Sequence, residues 1–395
     1  MFLQKILSRN EKLIETVVDL HQGGYIPPNS YILDVDTIGE NLSFLIEGAK
    51  ENHLALYPMT KQIGRNPVII RMMRDAGVPG CVCVDMADAR KVFSESMKIG
   101  HIGHLVQVPF SDTAEAVAMK PEYWTVFSLA KAEAISNALP PNTYQKILLR
   151  IYSPEDTFYT GHEGGFPANE ILKYAKAIDN LPGLKFAGLT SFPTQLFSIE
   201  ENSIQHTANY HTLFEAKKLL EANGYHNIEI NAPGTTSSHL FAEMSASGVT
   251  QVEPGHGLTG TTPMHAIKDL VEKPAMAYLS EVSHFYKNDA YCFGGGLYID
   301  PVFPSYDVKA CVGSDPDKAK SNLVHCDIPD PASIDYYGIM KDAKSQNVQE
   351  GDTVIFGFRA QAFVTRAYVV PVAGISTGNP KVLAVFDVYG NETGW

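Results

Sequence analysis

Two apolar periodicities alternate along the first two-thirds of the chain. Short apolar runs at 30–34, 54–59, 80–84, 103–108, 123–128, 146–152, 186–191, 228–232 and 250–253 read as buried strands. Helical spacing lies between many of them. Thr37 with Glu40 forms a capping box ahead of Ile38, Leu42, Leu45, Ile46 and Ala49. Asn66 and Pro67 predict a helix start for the stripe Ile69, Met72, Met73 and Ala76, and Gly77 predicts its stop. Ahead of the first run, Leu3, Ile6, Leu7, Leu13 and Val17 mark an amphipathic helix.

Strands that alternate with helices pair in parallel, because each crossover returns the chain to the same end of the sheet. About eight such units over roughly 260 residues predict an α/β fold, a closed (β/α)8 TIM barrel. The open doubly wound alternative loses its dinucleotide-binding form, since no Gly-x-Gly-x-x-Gly follows the first run. The pattern changes near 268–274. Runs at 275–286, 290–299, 306–312, 353–358, 362–371 and 381–388, punctuated by Gly, Pro and Asp, predict a C-terminal all-β domain. The expected division is 1–268 for the barrel and 269–395 for the β-domain.

Composition narrows the function. With 45% hydrophobic and 19% charged residues the chain is globular, not disordered or coiled coil. Lys and Arg total 31 against 44 Asp and Glu, a net charge of −13, with no basic block. That argues against nucleic acid or anionic membrane as partners. No apolar stretch is long enough to span a bilayer, and charges such as Lys5, Arg9 and Lys12 interrupt any signal-peptide core. Five cysteines, a sparse odd count, fit a reduced cytoplasmic compartment.

Barrel chemistry sits where strands end at their C-terminal side. Lys61 closes the 54–59 run at that position, where a partly desolvated ammonium has a lowered pKa and forms Schiff bases; the alternative is a surface lysine. Asn231–Ser238 joins a strand to a helix through small and hydroxyl residues, which suits a phosphate or an ordinary N-cap. Glu253 ends a strand expected to be buried on both sides, so its carboxylate needs a partner, either an Arg or a ligand's ring nitrogen. Gly255, Gly257 and Gly260 allow close backbone approach. In the β-domain, Tyr291 and Cys292 precede three glycines and are candidate proton donors; the alternative is a kinked core strand. His325 and Asp327 share a strand face and are a weak two-ligand metal candidate, so no metal site is assigned.

The segments Met59–Thr60–Lys61–Gln62, Asn231–Ala232–Pro233 and Glu253–Pro254–Gly255–His256, in this order, resemble the fold-type III pyridoxal-phosphate enzymes. That superfamily includes alanine racemases, eukaryotic-type ornithine decarboxylases and D-threonine aldolases. The closest resemblance is to alanine-racemase-like bacterial proteins, and it covers nearly the whole chain. The resemblance implies pyridoxal 5'-phosphate on Lys61, with Asn231 in the cofactor site and Thr235, Thr236 and Ser237 at its phosphate. Gly255 and His256 match the pair whose amides complete that phosphate site. Glu253 takes the position facing the pyridine nitrogen, where alanine racemases have Arg and the decarboxylases have Glu-Pro-Gly. Ser191 stands where relatives place a His stacked on the ring.

The stretch 291–296 matches the place of a second base supplied across a dimer interface. Phe293 aligns best with that tyrosine, so Tyr291 or Cys292 would substitute. The substrate-side arginine of alanine racemases, expected around 157–165, is absent. Arg359 and Arg366 are candidates to hold a substrate carboxylate instead. The resemblance therefore implies a homodimeric racemase or epimerase of an amino acid, with decarboxylase, D-amino-acid lyase or aldolase, and non-catalytic cofactor-binding protein as alternatives. Racemisation needs proton donors on both faces of the α-carbon, so a second group beside Lys61 is obligatory.

Overall fold

The computed structural model describes residues 1–298, 302–303 and 306–395; Ile299, the end of the expected 290–299 run, lies outside them. The chain forms two compact units: Leu45–Thr60 with Ile70–Gly255, and Met1–Phe44 with Lys61–Ile69 and His256–Trp395.

The first unit is built on parallel strands. Among the described residues those of the ring are Ala55–Leu56, Cys81–Val82, Ile99–Ile102, Tyr123–Val126, Gln145–Tyr152, Leu184–Thr190, Glu229–Asn231 and Gln251–Val252, and the short Phe166–Pro167 pairs in parallel with Gln145–Tyr152 off that path. From the second to the eighth each ring strand pairs with its neighbour in chain order, and the eighth pairs with the first. Met59 bridges Val82 in parallel, and the Val82 N–H donates to the Pro58 carbonyl at 3.1 Å, which joins the end of the first strand to the second and closes the ring. Helices such as Met86–Ser94, Leu129–Ala138, Ile171–Asp179 and Ala208–Glu221 make the crossovers. The barrel expected from the alternating periods is thus present. One strand differs from the expected run: it is Ile99–Ile102, and 103–108 is loop. Gly100 and His101 dilute the apolar signal of the true strand. Gly100 is required there, since a Cβ would lie 2.1 Å from the Tyr57 ring.

The second unit is an antiparallel barrel. Asp289–Phe293, Tyr337–Met340, Leu323–Asp327, Lys309–Gly313, Thr353–Phe356 and Met276–Tyr286 pair in that order, and Met276–Tyr286 also pairs with Asp289–Phe293. The all-β expectation for the C-terminal residues holds. Ser30–Asp34, expected as the first barrel strand, belongs to this unit instead. It lies antiparallel to Met276–Leu279 and parallel to Tyr368–Val372. All five of its residues are buried, and a run buried on both faces carries no alternation to say which sheet it joins.

Helices Phe2–Arg9 and Glu11–Gln22, one amphipathic stripe in the sequence, are divided at Asn10. Asn10 Nδ2 donates to Asp34 Oδ2 at 2.8 Å and to the Pro274 carbonyl at 2.9 Å. Leu13, Ile14, Val17 and Val18 pack with Ile32, Leu279, Ile355 and Val370 in one buried cluster. Each such side chain contributes about 1.5–3 kcal/mol of burial. The expected capping box is replaced by Asp34, which accepts from the Thr37 N–H at 3.1 Å and the Thr37 hydroxyl at 2.7 Å. Burial is the largest influence on the Asp34 carboxyl and raises its pKa.

Gly188 makes a close contact with the backbone of the next strand, because a Cβ there would lie 2.1 Å from the Glu229 carbonyl oxygen. The neighbouring backbone cannot yield without breaking the ladder. Gly188→Ala is expected to cost about 1–3 kcal/mol or more, read as a lower urea midpoint. An unchanged midpoint would contradict this register.

Candidate active site

Polar side chains gather inside the parallel-stranded unit. Glu253 follows the last strand and its side chain has no exposed surface. Its Oε1 accepts from Asn231 Nδ2 at 2.8 Å and lies 2.5 Å from His101 Nδ1. Asn231 is oriented by the Thr190 hydroxyl, which donates to its Oδ1 at 2.7 Å. His101 Nε2 lies 2.6 Å from Thr125 Oγ1. Glu253 Oε2, by contrast, is buried and has no hydrogen-bond partner among the described residues. The nearest imidazole nitrogen paired with it, His104 Nε2, is 3.7 Å away.

Sequence reasoning singled out Glu253 and Asn231 but passed over His101, Thr190 and Arg150. Arg150 is 1% exposed within the strand Gln145–Tyr152, and its Nη2 donates to the carbonyls of Phe192 at 2.9 Å and His162 at 3.2 Å. Burial lowers its pKa to about 10. A lone arginine in the apolar run Leu148–Leu149–Arg150–Ile151 was the available signal. Ser191 is buried and accepts from Asn209 Nδ2 at 3.2 Å. In the hydroxyl segment, the Thr235 N–H donates to the Gln195 carbonyl at 3.1 Å, Thr236 Oγ1 donates to the Gly234 carbonyl at 3.3 Å, and Ser237 Oγ is 2.8 Å from His239 Nδ1. Ser237 precedes a turn at Ser238–Leu240 and a helix at Phe241–Ala246.

The second unit holds the cationic candidates. Lys61 opens the turn Lys61–Ile63. Gly255 is the last residue of the first unit, and His256 opens the short helix His256–Thr259 of the second. His256 is buried, its Nδ1 lies 3.0 Å from Thr261 Oγ1, and its Nε2 has no hydrogen-bond partner among the described residues. Burial first, then the charges of Arg359 and Lys61, push its pKa well down, so the ring is neutral. Arg366 is spoken for by Asp335 at 2.9 Å.

Tyr291 is half-buried, with its ring stacked on His284 at 4.8 Å. Cys292 is fully buried, and both its sulfur and that of Cys326 would lie 3.0 Å from a Cβ at Gly338. Hydrogen bonding to Cys292, then burial, drive the Cys326 thiol well above its ordinary pKa. His325 is bonded through Nδ1 to Asp307 and through Nε2 to Asp327 at 2.9 Å. Among the described residues no group of three or more His, Cys, Asp or Glu is arranged for a metal.

The residues present fit a pyridine-type cofactor on one observation. A buried carboxylate with one oxygen satisfied and the other orphaned is the acceptor that a pyridinium N–H requires. The family of the chain follows from comparison. Residues 33–263 match the alanine racemase N-terminal domain, and residues 277–382 match the YhfX-like C-terminal domain. The chain belongs to the alanine racemase N-terminal domain family. Its likeness to "Uncharacterized protein YhfX" of Escherichia coli (strain K12) is 38% identity over all of both chains.

Two solved structures share the fold of this chain. A D-threonine aldolase from Filomicrobium marinum has a TM-score of 0.69 at 17% identity, over 92% of this chain and 96% of its own. An alanine racemase of Clostridium difficile 630 in complex with cycloserine has 0.63 at 15%, over 92% and 99%. The alanine-racemase-like fold family is pyridoxal-phosphate-dependent. The described residues contain no helix long and apolar enough to cross a membrane.

His256 makes this family member acid-sensitive in a stated direction. Its pKa is lowered in the folded chain, whereas the unfolded chain takes up the proton near the ordinary value of about 6.5. Stability contributed at this position is therefore intact above about pH 6.5 and is lost as pH falls below it. Urea midpoints should fall less between about pH 7 and pH 5 in His256→Gln than in the unsubstituted protein. Equal losses in both would remove His256 as a cause.

Proposed function

We propose that the chain is a pyridoxal-phosphate-dependent enzyme that moves the α-proton of an amino acid, as a racemase or epimerase. The observation that carries the cofactor is the orphaned, buried Oε2 of Glu253. Lys61 holds the cofactor through its amine, and Thr235, Thr236, Ser237, Gly255 and His256 bind its phosphate. When bound, pyridoxal phosphate supplies an electron sink for the charge left on the α-carbon. Glu253 keeps a proton on the ring nitrogen by favouring its charged form. Lys61 Nζ takes and returns the α-proton on one face. On the other face the half-buried phenol of the partner subunit's Tyr291 does the same, so the enzyme works as a homodimer. Cys292 is enclosed by its own sheet and supplies no proton. Arg359 or Arg366 holds the substrate carboxylate; Arg366 also pairs with Asp335 at 2.9 Å.

A second reading, cleavage of a 3-hydroxy amino acid, rests on the aldolase structure's TM-score of 0.69 against 0.63 for the racemase. Incubation with amino acids in deuterium oxide separates the two. Deuterium at the α-carbon with the carbon skeleton intact supports the racemase, and release of an aldehyde supports the cleavage.

Borohydride should fix the cofactor to Lys61 and label nothing in Lys61→Ala; labelling of another lysine defeats the assignment. Glu253→Gln should still be labelled at Lys61 but exchange the α-proton roughly 10- to 100-fold more slowly, for the loss of about 1.5–3 kcal/mol of charge-assisted bonding. Light scattering should give a dimer, and an active monomer would exclude the role of the partner subunit's Tyr291.

A further inference from the structure

Glu253 is held by more of the protein than a ring-nitrogen partner needs. A carboxylate only accepts hydrogen bonds, so the Asn231 amide must donate to Oε1, and the Thr190 hydroxyl must donate to the amide oxygen. For the same reason His101 Nδ1, 2.5 Å from that Oε1, must carry a hydrogen. His101 Nε2 lies 2.6 Å from the Thr125 hydroxyl, which fixes the ring from its other side. His101, Asn231, Thr125 and Thr190 are all fully buried, so water does not compete for these bonds.

We infer that His101 is a positioning residue of the ring-nitrogen site, which occupies Glu253 Oε1 from across the barrel and leaves Oε2 as the one acceptor offered to a ligand. The inference rests on the cofactor reading above and adds a residue to it. His101 lies on the third strand of the ring and Glu253 follows the eighth, so the bond spans the interior and does not run along one strand edge. Thr125, on the fourth strand, fixes the His101 ring, as an outer partner orients a metal-bound histidine. His104 and Tyr57 are the other titratable groups near the carboxylate. The His104 ring is stacked on His101 at 5.2 Å, and its Nε2 stands beyond hydrogen-bond distance from Oε2.

The chemical consequence has a definite sign. Two partners on Oε1 hold the carboxylate in one orientation and keep Oε2 as the acceptor for a ring N–H. A proton shared between Oε2 and a ring nitrogen then resides on the ring. Without His101 the carboxylate can turn, and the charged ring loses its fixed acceptor.

The test loads the full-length protein with pyridoxal phosphate labelled with nitrogen-15 in the ring and reads ring protonation by nuclear magnetic resonance at one pH. The ring should be protonated in the unsubstituted protein and in His101→Asn, which keeps a donor near the Nδ1 position. In His101→Phe the ratio of protonated to unprotonated ring should fall at least about tenfold, with the cofactor still fixed to Lys61 by borohydride. Thr125→Val, a milder change that serves if His101→Phe does not fold, should lower the ratio in the same direction. Retained cofactor with an unchanged ratio in Thr125→Val and His101→Phe overturns the role of His101 alone. Failure of the unsubstituted protein to take up the cofactor overturns the proposed function, and this role with it.

Discussion

A carboxylate that has lost its water must find hydrogen-bond donors or give up its charge, and Glu253 sets that condition for the middle of the parallel barrel. Its solution recruits side chains from several strands. Asn231 comes from the seventh strand and Thr190 from the sixth; His101 and Thr125 come from the third and fourth. The network therefore braces opposite walls of the ring. Removing one member leaves the rest with an unmatched buried charge, a deficit of about 3–5 kcal/mol in comparable buried pairs. Among the described residues the oxygen of this carboxylate without a hydrogen-bond partner is Oε2.

Charge is arranged differently in the other unit. There His256 sits among Arg359, Lys61 and His265, and burial together with those neighbours keeps its ring uncharged. A neutral imidazole contributes a donor or acceptor without adding another positive charge. The thiols of Cys292 and Cys326 occupy the core of the antiparallel barrel above Gly338, where the missing side chain makes room for them. Both sulfurs are buried within that sheet.

Much of this was legible in the sequence where a residue breaks a pattern in a place the fold gives meaning to. Glu253 ends an apolar strand, and Asn66 before Pro67 starts a helix whose Val68 N–H donates to Asn66 Oδ1 at 3.0 Å. The barrel itself follows from the alternation of periods two and 3.6. His101 was not legible, since Ile–Gly–His–Ile names no partner and its reason lies on the opposite wall. Asp34 was missed as a helix cap because it also ends a strand, and one residue serving both elements looks like neither. The register of Ser30–Asp34 was hidden for a related reason: a strand buried on both faces records how deep it lies and not which sheet surrounds it.

The placement of that strand has a consequence for the order of events as the chain is made. Ser30–Asp34 is flanked by strands that follow the parallel barrel in the chain, so the parallel strands lie between it and its partners in sequence. A nascent chain can complete the parallel barrel with its first segment still waiting for neighbours. The N-terminal helices spend that interval with Leu13, Ile14 and Val17 uncovered, because the surface they pack against does not yet exist. Pairings so distant in sequence form slowly, so completion of the antiparallel unit waits on segments from either side of the parallel barrel in the chain.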